Sequence, residues 1–65
     1  MMINKMVFAV AEAAAILSYS SQTVYHLIHT RQLFAYKDEG RKAWRIPEKA
    51  IEDYLNARMA RGNYV

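Results

Sequence analysis

Two helix-forming stretches, VAEAAAIL (Val10–Leu17) and SQTVYHLIHT (Ser21–Thr30), stand with hardly more than two free residues between them. So short a connection cannot fold the chain back into a simple antiparallel hairpin, and the two helices must cross at a steep angle. The first stretch is alanine-rich, a strong helix former, and sets Ala13, Ile16 and Leu17 on one side. In the second, Val24, Leu27 and Ile28 recur at i, i+3 and i+4, leaving Gln22, Thr23, Tyr25, His26 and His29 for the other faces. Ser20 is a good N-cap for it. Ala9, before the first helix, offers no side-chain oxygen, but Glu12 can receive the cap residue's N–H, so half a capping box remains.

A close, steep crossing needs a small residue on the first helix, an apolar one on the second and a tolerant one in the turn. Ala14, Val24 and Ser18 hold those positions, the spacing of a helix-turn-helix. Glycine is usual in the turn because positive φ is often required there; serine takes that conformation at a modest cost. Further on, LFAY (Leu33–Tyr36) and AWRI (Ala43–Ile46) flank KDEGRK, where Gly40 can supply a positive φ, so a two-stranded hairpin is expected. Strand alternation sets Trp44 and Ile46 on one face, toward the core, and Arg45 on the other. Pro47 should begin a third helix ending near Gly62, with Ile51, Tyr54, Leu55 and Met59 as its buried stripe. Its acids, Glu48, Glu52 and Asp53, come early and Arg58 and Arg61 late, which suits the helix dipole.

The chain has 65 residues and no cysteine, so one small core must hold it without disulfides or thiolate metal sites, consistent with a reducing cytoplasm. The apolar run Met6–Ala11 is too short for a signal-peptide core and far too short to span a membrane. The net charge of +3 is unevenly placed. Residues 1–30 and 47–65 are each neutral, whereas Arg31, Lys37, Arg41, Lys42 and Arg45 outnumber Asp38 and Glu39 between them. A local basic surface on a balanced domain favours a polyanionic partner; a merely solvated face is the plainer alternative.

The order helix, tight turn, helix, hairpin, helix is carried by FAVAEAAAIL, SYS and SQTVYHLIHTRQLFAY, followed by GRKAWRIPEKAIEDYL. Over Phe8 to Leu55 this resembles the excisionase family of small DNA-binding proteins, whose winged helix-turn-helix fold is shared with MerR-type regulators and to which AlpA-type regulators are related. The most telling parts are TVY followed by LI, the leucine opening the hairpin, and WRIP leading into the last helix. The resemblance implies a mainly α fold with a small β-hairpin, in which the second helix enters the major groove and the wing lies on flanking backbone or minor groove. It implies a cytoplasmic protein that binds double-stranded DNA, bends it and assists an integrase in excising a phage or mobile element. Small transcription regulators of prophages or mobile elements would use the same residues, and an adaptor binding an acidic protein surface is a reading from another class. The expected organisation is an arm over 1–7, the DNA-binding domain over 8–61 and a tail over 62–65.

The N-terminal half of a recognition helix reaches deepest into the groove, which singles out Ser21, Gln22, Tyr25 and His26. The Gln22 amide can donate and accept against adenine in a bidentate pair, although a glutamine opening a surface helix is equally at home in water. Thr23 suits a phosphate, with support of the first helix as its other use. Tyr25 can donate to a phosphate or pack on the wing. His26 and His29 lack an apparent third ligand, so no metal is expected, and no cofactor or catalytic constellation is evident either. In the wing, Lys37 and Arg45 should meet phosphate, while Arg41 and Lys42 flank Gly40 at the tip, where an arginine can enter the minor groove. Four such cations would give a log–log salt slope of about −3.6. Cooperative self-association on adjacent sites would add specificity that one small domain lacks, with the third helix and the tail GNYV as candidate contact surfaces. Asp38 and Glu39 oppose phosphate: either they point away from the duplex, or this wing is used differently.

Overall fold

The computed structural model describes residues 6–40 and 42–61. Its elements are β1 (Val7–Phe8), α1 (Val10–Leu17), α2 (Ser21–His29), β2 (Tyr36–Lys37), β3 (Trp44–Pro47) and α3 (Glu48–Arg61). The strands form a small antiparallel sheet in the order β1-β3-β2. This is a small winged helix-turn-helix.

The helix pair is built by its caps. The Ala9 N–H donates to Glu12 Oε1 at 2.8 Å, the half capping box expected for α1. Ser20 Oγ accepts from the Thr23 N–H at 3.1 Å and so starts α2. Between them Ser18 adopts φ 61° and ψ 37°, the left-handed conformation the turn demands. The Ser18 N–H then bonds the Ala15 carbonyl and the Tyr19 N–H the Ala14 carbonyl, which satisfies acceptors left open at the helix end. The same device ends α2, where Arg31 at φ 63° lets the Arg31 and Gln32 N–H groups reach the Ile28 and Leu27 carbonyls.

The core joins all the layers. Ala13 and Val24 are fully buried where α1 crosses α2, with Ala14 beside them. Leu33 and Ile46 bring the loop and β3 into the same cluster, and Ala50, Ile51 and Tyr54 bring α3. Each large aliphatic side chain so buried contributes about 1.5–3 kcal/mol by leaving water.

The tertiary arrangement corrects several expectations. Ile16 is half exposed, because the close approach of α1 to α2 turns the Val10, Ala13 and Ala14 stripe inward. Leu55 and Met59 are exposed as well. At 14 residues α3 is about 21 Å long, and its buried residues all lie in its first half. The first hairpin strand is Tyr36–Lys37 rather than Leu33–Tyr36, since the Leu33 N–H bonds the Leu27 carbonyl and its side chain closes the end of α2. Pro47 ends β3 opposite Val7, and α3 starts one residue later. Val7, at the end of the expected arm, is already in β1, and the Glu48 N–H donates to the Met6 carbonyl at 2.7 Å.

Candidate nucleic-acid interface

The inward stripe of α2 decides what its outward face carries. With Val24, Leu27 and Ile28 buried, the exposed row is Gln22, Tyr25, His26 and His29, spaced to lie along one side of the helix. Ser21 and Thr23 are exposed at its N-terminus. Thr23 does not stand alone there: its hydroxyl lies 3.0 Å from Ser20 Oγ, tying it to the cap of its own helix. At the other end His29 meets Trp44 edge to face, with ring centroids 6.2 Å apart. The C-terminal end of α2 is thereby set directly against the wing. Among the described residues no group of three or more potential metal ligands is placed to hold an ion.

In the wing, Gly40 takes φ 80° at the tip, and Lys42 is exposed beyond it. Arg41 lies outside the described residues. The register pairs Tyr36 with Arg45 and Lys37 with Trp44. Cross-strand partners share a face, so Lys37 is on the Trp44 side of the hairpin and Arg45 on the other. Lys37 Nζ sits 4.8 Å from the centre of the Trp44 ring, a cation–π contact. Trp44 is half-buried against the core, with its edge on His29 and Lys37 over its ring. Arg45 Nε lies 3.6 Å from Asp38 Oδ2. One of the two tip acids is therefore turned onto a wing cation, while Glu39 is exposed.

Two residues absent from the sequence-derived site border this surface. Arg31 and Phe34 line an open groove of about 450 Å³ with Ile28, His29 and Trp44. Phe34 is 64% exposed, tilted against Tyr36 with centroids 6.4 Å apart. Arg31 belonged to the basic cluster, but its placement follows from the left-handed end of α2, for which neither glycine nor asparagine gives a local signal.

The arrangement is a polar helix face beside a basic hairpin, both held by one core. It can place amide, hydroxyl and imidazole groups in a major groove and cations against the flanking backbone. No helix among the described residues is long and apolar enough to cross a membrane. A family model described as a helix-turn-helix domain matches residues 7–59, from β1 well into α3. No curated protein and no solved structure matches the chain. With most of its length covered by that model and the matching architecture in place, the chain belongs to the helix-turn-helix DNA-binding domain family.

Proposed function

We propose that the protein is a sequence-specific, double-stranded DNA-binding excisionase, a recombination directionality factor that bends DNA and helps an integrase excise a phage or mobile element. The observation that carries the DNA part is the outward row Gln22, Tyr25 and His26 on α2, set beside the only basic region of the chain. Membership of a family that includes small excisionase-like proteins supports the finer role. The protein acts in the cytoplasm, without cofactor or metal and without catalytic chemistry of its own.

On this reading Ser21, Gln22, Tyr25 and His26 face base edges, with Thr23 at a phosphate. Lys37, Arg41, Lys42 and Arg45 face the flanking backbone or minor groove. Cooperative binding of further copies to adjacent sites, and contact with the integrase, make up for the short stretch that one domain can read. The exposed half of α3, with Leu55 and Met59 apolar and Arg58 and Arg61 charged, supports it as a protein-contact surface. The GNYV tail lies outside the described residues.

An excision assay with integrase and the excisable DNA, run with and without the protein, tests the role. Stimulated excision is expected. DNA binding and promoter repression without any effect on excision would assign the protein instead to the small transcription regulators. Absence of a mobility shift on any duplex at low salt would favour an adaptor for an acidic protein surface.

A further inference from the structure

We propose that Asp38 stands in for a DNA phosphate on Arg45, so that the wing engages DNA by exchanging an internal carboxylate for an external phosphate; this rests on the DNA-binding reading above. The pair spans the hairpin, from the residue after β2 to the centre of β3, at 3.6 Å. That distance is longer than the 2.7–2.9 Å typical of a charge-assisted hydrogen bond, so the carboxylate holds the guanidinium without satisfying it. Arg45 Nε is in fact buried with no hydrogen-bond partner among the described residues. A phosphate that displaces the carboxylate takes its place beside Nε and, with several acceptor oxygens, can supply what the carboxylate leaves unmade.

The contact is also placed to be exchangeable. The two side chains remain 40% and 38% exposed, and ion pairs of that kind are weak. Lys37, the neighbouring cation, is on the opposite face over Trp44 and does not compete for Asp38. On a random duplex the wing therefore offers Arg45 already neutralised. At a cognate site, contacts from α2 hold the wing against the backbone long enough for phosphate to replace the carboxylate. Asp38 thus lowers nonspecific binding more than specific binding, which explains an acid at the tip of a hairpin meant for a polyanion.

The test is a salt series of anisotropy titrations of the full chain against a nonspecific duplex. It compares wild type, Asp38→Asn, Glu39→Gln, Arg45→Gln and the Asp38→Asn/Arg45→Gln double variant, each checked for folding by circular dichroism. Asp38→Asn is expected to bind about fivefold tighter at low salt, with a log–log slope steeper by about 0.9. Glu39→Gln, which removes the same charge one residue away, should give the smaller gain at low salt and one that fades as salt is raised, since it acts only through the screened field. The gain from Asp38→Asn should vanish when Arg45 is absent, the signature of direct coupling. Arg45→Lys replaces Arg45→Gln in the cycle if the latter melts near the assay temperature, and should leave a smaller Asp38→Asn gain than wild type. Equal gains from Asp38→Asn and Glu39→Gln, or a gain that survives loss of Arg45, would overturn the exchange in favour of general charge repulsion. Wild type binding with Asp38→Asn unchanged would overturn the exchange and leave DNA binding intact. No binding by either protein would overturn both.

Discussion

On α2 the outward side chains Gln22, Tyr25 and His26 are exposed and make no side-chain hydrogen bond to a described residue, whereas in the wing Lys37 lies on Trp44 and Arg45 on Asp38. The supports differ too. The opposite face of α2 is fixed by Val24, Leu27 and Ile28 in the core, while β2 and β3 pair over only two positions beyond Ile46. A helix held along its whole inner face presents its groups in a set geometry, which base readout requires. A short hairpin hung from one buried residue has less to hold it, and suits the less exacting contacts of charge with backbone. The difference fits the proposed division of labour, with sequence reading on α2 and adjustable electrostatic attraction in the wing.

The comparison breaks most severely if the shared support is removed. Ile46 is fully buried in β3, next to the wing and against α3. Ile46→Ala should cost about 2–5 kcal/mol in urea unfolding, enough to threaten the whole of so small a domain. A loss well under 1 kcal/mol would show that β3 does not carry both regions.

Gln22→Ala and Lys37→Gln separate the two regions next. The first should lower discrimination between cognate and noncognate duplex by about 1–3 kcal/mol while leaving the salt slope alone. The second should weaken binding to all duplexes alike and make the slope shallower by about 0.9. Exchange of these two phenotypes would reverse the assignment of reading and attraction.

A smaller effect concerns the junction that sets the crossing of α1 and α2. Ser18 is strained at φ 61°, and Ser18→Gly should stabilise the fold by about 1 kcal/mol in the same urea assay, with DNA affinity unchanged. A destabilised variant would mean that the serine side chain holds the turn in some way its backbone conformation does not express.

The smallest effect is expected at alkaline pH. Burial first, then the hydrogen bond with Tyr19 at 3.0 Å, raises the Tyr54 hydroxyl above its ordinary value of 10.0, against a smaller opposing pull from Arg58. Lys49 is raised as well, chiefly by its hydrogen bond to Asp53. The folded state then holds these protons more tightly than the unfolded chain. Their stabilising contribution is fully present below about pH 10 and is lost as pH rises through the raised values. Thermal melts from pH 8 to 11.5 should show a decline beginning near pH 10 that Tyr19→Phe makes shallower. An unchanged profile in that variant would detach the tyrosine pair from the decline.

Much of the helix-turn-helix was legible because its signals are local. Ser20 and Glu12 act within one turn of their own helices, Ala14 and Val24 are small or apolar where the crossing needs them, and Gly40 marks the hairpin tip. The outward row of α2 followed from the same periodicity. The wing was less legible. Arg45 was correctly set opposite Trp44, but its attachment to Asp38 depends on how the tip folds back, and Lys37 shares the Trp44 face only because of the register. Arg31 and Phe34 were passed over for the same reason.

By itself, then, the sequence determined two capped helices with a steep crossing, a basic hairpin and a third helix, because capping, periodicity and turn chemistry operate over three or four residues. Only the tertiary structure decided which apolar residues were left outside, Ile16, Leu55 and Met59 among them, and that Val7 and Phe8 form a third strand on β3. It also decided that two of the wing's cations are engaged before any partner arrives. Such pairings join segments through the packing of the whole core, and their favourable energy appears only after that core has closed.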